Sequence, residues 1–457
     1  MGNMLTSLLN SAQALDVYQQ ALTVTENNVV NANTPGYAKQ EASFEALPFD
    51  VSVGLPGGVA AGPVQSSRDA YAEQSVRDQQ SASNYSQQQV SDLTPLQSYF
   101  DLSSTSGLGT DMSALFNDFS ALSVNPNDTV ARQTVINAAT TVAQDFNDAA
   151  NGLLSQGADM NQQTTSVISS INQLASTIAG INAQNRVNPD GSIDAGVDAQ
   201  LNSSLEQLSQ LVNFTALQQP DGSVSVYIGG QTPLVIGNQT FDISGDFSTP
   251  QTAVLSSTGA DISSQLTGGQ LSALLYDTNN NLPSYVNGLN TLAQSLADQV
   301  NNALDQGIDQ NGAAPSTDLF TYDASTGAAM TLAVNPLTPD QIAAALPGAP
   351  GGNGNALAVA NLQNAQTTDG YTFAQFYGNL GEQVGNDLSA AQSAATTKSA
   401  LLNQAESLRQ QISGVSLDEE AENMMEYQRS YQAIAKMLGV LNSIGDTLMN
   451  MMGVVTT

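Results

Sequence analysis

Residues 416–448 read SLDEEAENMMEYQRSYQAIAKMLGVLNSIGDTL, and the reading of this stretch decides the fold. Leu417, Met424, Tyr431 and Leu438 recur every seven residues, with Tyr427, Ile434, Leu441 and Leu448 at a second position of the same period. A repeat of about 3.5 residues marks a helix whose apolar stripe meets another helix along a coiled-coil seam. Ser416 and Glu419 form a capping box after Gly414, and Asp418 to Glu420 suit the positive end of the helix. The first 30 residues carry a weaker counterpart: Met1, Leu8, Leu15, Leu22 and Val29 at one position, Leu5 and Ala12 at the other. Gln19 and Glu26 interrupt it. Burying roughly nine such side chains yields about 15–25 kcal/mol gross. Ordering about 35 residues costs about 35–70 kcal/mol of backbone entropy, and backbone hydrogen bonds offset only part of the difference. Neither terminal helix therefore holds alone. They pair with each other, and pairing that extends into neighbouring subunits is the stronger reading.

Outward from the termini, the charge distribution changes. The chain has 457 residues, with 9 basic against 41 acidic, for a net charge of −32. Residues 133–397 contain a single base, Arg186, whereas each end holds four. The ends read as contact-making and the centre as repulsive and solvated. A field of this sign repels phosphate backbones and anionic membranes, so neither nucleic acid nor membrane is expected as a partner. Without any Cys or His, thiolate chemistry, Ser-His-Asp triads and Cys- or His-ligated metals are excluded. Carboxylate chemistry or no catalysis remains, and no cofactor is expected. The start of the chain lacks the pattern of a cleavable secretory signal.

Four helical segments fill the centre. They run from about Ser66 to Tyr99, with Thr94–Gln97 reading as a start signal, then onward from Asn125-Pro126, from Val167 to Ala183, and from Leu282 to Leu304. At Pro220-Asp221-Gly222 the period changes to two: Val224, Val226 and Ile228, then Leu234 to Ile236, then Phe241 and Ile243, punctuated by glycines. Short antiparallel strands follow from that alternation. Phe320, Tyr322, Met330, Leu332 and Val334 add further strand candidates, and 346–355 reads as a Pro/Gly connector. The expected fold is mainly α with a β insertion. It is elongated and multi-domain, with paired N- and C-terminal coiled-coil helices, a long helical bundle and a small antiparallel β domain. The expected boundaries are 1–60 with 410–457 for the coiled coil, and 61–215 with 263–312 and 356–409 for the bundle. Residues 216–262 with 313–355 form the outer β-rich insertion.

Candidate chemistry is weak. Asp190, Ser192, Asp194 and Asp198 approach a calcium loop, but Ala195 stands where the sharp turn needs Gly and no Glu closes it. Gly351–Gly354 follows no strand and has no Gly-Lys-Thr, so it reads as a turn and not a phosphate loop. Glu419, Glu420, Glu422 and Glu426 sit beside the seam and read as solvated or paired with Arg429 and Lys436.

The most specific motif is Asn27-Asn28-Val29-Val30-Asn31-Ala32-Asn33-Thr34-Pro35-Gly36-Tyr37. It is a helix end followed by a turn: Pro35 presets the first corner, Gly36 permits positive φ, and the asparagines satisfy freed carbonyls. Its Asn28, Asn31, Asn33, Thr34, Pro35, Gly36 and Tyr37 resemble the N-terminal signature of bacterial flagellar axial proteins, the rod, hook and hook-associated family. The run from Ser416 to Ala433, with Glu419, Glu420, Tyr427, Gln428 and Tyr431, resembles the matching C-terminal signature. A helical centre, with Asn125-Pro126 to Arg132, Ile171–Leu174, Gly268–Leu271 and Val300-Asn301, narrows the resemblance to hook-associated protein 1. That resemblance implies an extracellular, non-catalytic adaptor between hook and filament, secreted through the flagellar type III apparatus. It also implies the partners: hook protein, a second hook-associated (junction) protein, further copies in a helical ring, and a cytosolic export chaperone. The implied assembly interface comprises the two seams, Leu5, Leu8, Leu15, Leu22 and Val29 against Met424, Tyr427, Tyr431, Ile434, Leu438, Leu441 and Leu448. The alternatives are another axial subunit of hook or distal rod, or a carboxylate-based cell-wall hydrolase fused to an axial protein.

Overall fold

The computed structural model describes residues 2–50, 55–100, 107–184 and 194–453. A first helix, α1 (Gly2–Asn31), leads into a narrow antiparallel ribbon. The ribbon strands are β1 (Gln40–Glu41), β2 (Phe44–Ala46), β3 (Phe49–Asp50), β4 (Leu55–Pro56), β5 (Val59–Ala61) and β6 (Gln65–Ser66). They pair as nested ladders, β1 with β6, β2 with β5 and β3 with β4. Then come α2 (Ala70–Gln97), α3 (Leu108–Val124), α4 (Thr129–Gln184) and α5 (Ala195–Leu211). A β unit follows, made of β7 (Phe214–Gln218), β8 (Val224–Ile228), β9 (Thr232–Ile236), β10 (Gln239–Thr240), β11 (Ser244–Asp246) and β12 (Ala253–Leu255). The chain returns to helix in α6 (Gly269–Tyr276) and α7 (Leu282–Asp305), passes β13 (Phe320–Thr321), α8 (Ala328–Thr331), β14 (Ala333–Val334) and α9 (Gly354–Asn361), and closes with α10 (Phe373–Ser413) and α11 (Leu417–Gly453). This is the expected mainly helical fold with small antiparallel sheets and long C-terminal helices.

Two of the expected helices are one. The segments after Asn125-Pro126 and from Val167 join without a break in α4, 56 residues long, about 84 Å at 1.5 Å per residue. Its first half belongs to a core with Phe116, Phe119, Phe146, Tyr285 and Leu292, where Phe116 stacks on Phe373 at 5.6 Å. Its second half, with Ile171, Ala175 and Ile178, belongs to a separate core with Leu205 and Leu208 of α5 and Val226, Ile228 and Leu234 of the sheet. Thr94–Gln97 is not a helix start: Pro95 lies inside the last turn of α2, which ends at Gln97.

The sheet order is β10-β9-β8-β7, all antiparallel, with Val224, Val226 and Ile228 of β8 buried. It docks on α4 through asparagines: Asn182 donates to the Val224 carbonyl at 2.8 Å and accepts from its N–H at 2.9 Å. Residues 313–355, grouped with 216–262 by the strand-like pattern, pack elsewhere. Leu319, Phe320, Ala329 and Leu332 are buried in the first core, because β13 and β14 form a two-residue clip held to α7 by Asn301. Met330 sits in α8 and not in a strand. The ribbon at 40–66 was not foreseen, since its strands are two or three residues long and mostly exposed. The β unit lies beside the end of α4 nearest the signature turn, where residues 177–184 and 27–37 line one groove.

Asp92 and Asp277 meet inside the bundle, 1% and 0% exposed, and one oxygen of each lacks any donor. Burial raises both, Asp92 to about 6 and Asp277 to about 8, the latter also through the Asp92 charge. A proton shared between them satisfies both orphan oxygens. A carboxyl whose pKa rises on folding contributes its stability in full below about pH 4 and loses it as pH climbs through the folded value. Urea unfolding should therefore give a less stable protein at pH 8 than at pH 5, by about 2–4 kcal/mol. Asp277→Asn should flatten that slope and raise stability at pH 8; an unchanged slope refutes the shared proton.

Candidate functional site

The two signatures meet where the terminal helices join the bundle. At the end of α1, Asn28 is buried, and its amide grips one residue of the ribbon. Its Nδ2 donates to the Gln40 carbonyl at 2.8 Å, while its Oδ1 accepts from the Gln40 N–H and the Tyr37 hydroxyl, each at 2.9 Å. Burial, with Glu420 nearby, pushes Tyr37 up to about 12, so it stays a donor. Glu420 of α11, read from the sequence as solvated or paired with Arg429 and Lys436, is 1% exposed. Burial raises its pKa, opposed by a hydrogen bond from Asn28 and the charge of Lys39. Next to it, Lys39 pairs with Glu419 at 2.6 Å. Burial alone lowers the Lys39 pKa, but the Glu419 hydrogen bond and the surrounding carboxylates outweigh it and the net direction is upward.

Thr34 to Tyr37 form the turn, with the Tyr37 N–H donating to the Thr34 carbonyl. Gly36 has φ +74°, and a Cβ there would collide with the Ala199 carbonyl of α5. Its own carbonyl accepts from Arg68, whose guanidinium also pairs with Glu73 of α2 and, at 2.8 Å, with Asp198 of α5. Arg409 of α10 bridges Glu206 at 3.0 Å and Glu73 at 3.5 Å. Three helices, α2, α5 and α10, and the signature turn thus converge on two arginines. Ser413, the last residue of α10, completes the joint: its carbonyl accepts from the Lys39 N–H, and its hydroxyl donates to the Ser67 carbonyl and accepts from the Asp69 N–H.

Asn28, Gly36, Tyr37, Glu419 and Glu420 converge on the joint. Asn31 and Thr34 bond each other, Asn33 and Pro35 are exposed, and Gln428 is exposed on α11. Asp194 caps α5 and Asp198 holds Arg68, so both are structural, while Asp190 and Ser192 of the calcium-like pattern lie outside the described residues. Helices α1 and α11 pack along each other, but the buried stripe of α1 is Val17, Ala21, Val24 and Asn28, not the leucine heptad. Leu8, Leu15 and Leu22 are half-buried, and Leu5 and Val29 are exposed. On α11, Met424, Tyr427, Tyr431, Ile434, Leu438 and Leu441 are half-buried and Leu448 is exposed. Tyr427 packs with Tyr18 and Phe44 in a triangle of 5.6–6.2 Å. Arg68, Glu73, Arg409 and Ser413 were missed. With nine basic residues in 457, tracing each cation would have pointed to the arginines.

Residues 93–320 match the family described as flagellar hook-associated protein FlgK helical domain, and residues 408–451 match flagellar basal body rod FlgEFG protein C-terminal. Flagellar hook-associated protein 1 of Bacillus subtilis (strain 168) is 26% identical over 500 aligned residues, covering 98% of each chain. The chain belongs to the flagellar hook-associated protein 1 family. The Escherichia coli (strain K12) member is 24% identical over 549 aligned residues, covering 98% of this chain and 100% of its own. The solved flagellar hook junction protein FlgK from Burkholderia pseudomallei shares the fold at a TM-score of 0.66 and 17% identity, covering 75% of this chain and 100% of that one. Family membership makes this a structural protein of the flagellum.

Replacing Arg68 by Met should strip Asp198 of its ion pair and leave Glu73 only the longer Arg409 contact in a poorly solvated joint. The expected loss is about 3–5 kcal/mol, read by urea unfolding, with faster amide exchange around residues 34–37; stability within error of wild type removes the joint's importance. Asn28→Asp should cost about 2–4 kcal/mol, since an oxygen would face the Gln40 carbonyl and a second charge would adjoin Glu420.

Proposed function

We propose that this chain is the adaptor subunit between hook and filament, and that it assembles with further copies through the α1–α11 hairpin. The supporting observation is the unfinished state of that hairpin. Among the described residues of α11, Glu420 is the sole fully buried side chain. Met425, Met437, Val440, Ile444 and Met449 are 47–68% exposed, and Leu5 and Leu9 of α1 add 62% and 58%. An apolar surface of this extent on a chain of net charge −32 marks a contact surface. Repeated head-to-tail contacts of one patch on another generate a ring or helix and not a closed dimer. The seam residues from Leu5 to Val29 and from Met424 to Leu448 then serve two contacts, one within the chain and one between copies.

Hook protein on one side and a second junction protein on the other are the partners this reading takes from the family resemblance. The same source supplies export through the flagellar type III route, with a cytosolic chaperone holding the chain beforehand. The role is structural, without catalysis or cofactor. A hydrolase would need two carboxylates facing a cleft. Asp92 and Asp277, which do meet, are sealed between helices. A hook or distal-rod subunit fits less well, because the helical centre matches the hook-associated domain.

Val440 is 60% exposed in the monomer, so Val440→Asp should leave folding unchanged while placing a charge in the contact between copies. Desolvating it there costs several kcal/mol per subunit. The variant should be exported, yet cells should carry hooks without filaments and shed filament subunits into the medium. Wild-type swimming would remove the hairpin face from the assembly. Glu422→Ala, on the exposed polar side, is the matched control.

A further inference from the structure

Most of the described arginines are fully engaged. Arg68 and Arg409 are ion-paired, and Arg132 donates to the carbonyls of Pro126, Pro339 and Ile342. Arg77 differs. It lies on α2 and lines an open cleft of about 590 Å³ between α2, the start of β7, the β8–β9 turn and the loop at 264–268. Its guanidinium has one long contact, 3.4 Å to the Gln74 side chain, and its Nε is buried without an acceptor. No carboxylate among the described residues pairs with it. One helical turn onward, the Ser81 hydroxyl lines the same cleft, buried and also without a partner. Burial lowers the Arg77 pKa, and Glu73 and Asp78 only partly offset it. The cost of this desolvated cation is recovered when an anion arrives.

We propose that this cleft binds a sugar monocarboxylate of the uronic-acid class, with Arg77 receiving the carboxylate. Three features select the ligand. The walls are hydroxyls and amides, Gln74, Ser81, Thr215 and Gln231 among them, which can donate to or accept from sugar hydroxyls. Phe214 adds an aromatic surface of the kind a sugar ring packs on. Arg77 is the one basic residue of the lining, beside Asp78, on a chain of net charge −32, so a monoanion is admitted where a phosphate dianion is repelled. The cleft lies away from the α1–α11 hairpin, and the proposal stands independently of the assembly reading.

Calorimetric titration of the full chain with glucuronate, its uncharged methyl ester and glucose tests it. Saturable one-to-one binding of glucuronate is expected, with both neutral sugars about tenfold weaker or more. Arg77→Gln should weaken glucuronate binding about 10–100-fold. Thr215→Val, on the exposed rim, should weaken all three sugars by a common smaller factor. The ester comparison uses the wild-type chain, so it decides the matter even if Arg77→Gln unfolds. Equal affinity for ester and acid, no saturable binding, or full affinity in a folded Arg77→Gln protein overturns the proposal.

Discussion

One neutral interaction recurs at five places where helix meets extended chain: an asparagine amide that takes both backbone groups of a single residue. Asn28 does this to Gln40, Asn172 to Ile243, Asn182 to Val224, Asn279 to Thr252, and Asn301 to Phe320. A side-chain amide carries one donor edge and one acceptor, so it substitutes for a neighbouring strand. That solves a specific problem. Strands of two to five residues have unpaired backbone edges, and burying those against a helix costs several kcal/mol unless they are satisfied. Charged residues form only 11% of the chain, and an amide does the work without a charge to desolvate. The clamps fix the ribbon to α1, the sheet to α4, and the 320–334 clip to α7.

The joint uses the opposite strategy, spending scarce cations in one place. Lys39, Arg68 and Arg409 are three of nine basic residues, and they gather around Glu419, Glu73, Asp198 and Glu206. Hydrogen bonds alone align two elements locally. Fixing the direction of a long hairpin against a long shaft needs contacts at several bearings, and a forked guanidinium supplies them. Arg68 reaches the turn, α2 and α5 at once. The β unit supports this indirectly, since it shares a core with α5, which presents Asp198 and Glu206.

Legibility in the sequence followed the length of the pattern. The 3.5 and 3.6 periods of α7 and α11 extend over many residues and read directly. So did the alternation of Val224, Val226 and Ile228. The ribbon was invisible because a ladder of two residues has no period. The leucine heptad of α1 was legible as apolar spacing, but not which stripe faces inward: the chain's own partner takes Val17, Ala21 and Val24, leaving the larger Leu5 and Leu9 outside. Of the joint, the signature residues were visible as a turn and a charged helix start. That Asn28, Tyr37 and Glu420 close on one another across nearly 400 positions was not, since nothing in local spacing records long-range pairing.

Charge also limits how like copies can approach. Between residues 133 and 397 there are 21 acids and one base, so two such surfaces repel at separations below the roughly 8 Å screening length of physiological salt. Within the terminal segments the sign is mixed, and the exposed face of α11 between Met437 and Ile444 carries only Lys436 and Asp446 at its edges. Apolar attraction acts at contact and the repulsion acts farther out, so the proposed pairing of hairpins, with the acidic domains held apart, is the arrangement that meets the least opposing field.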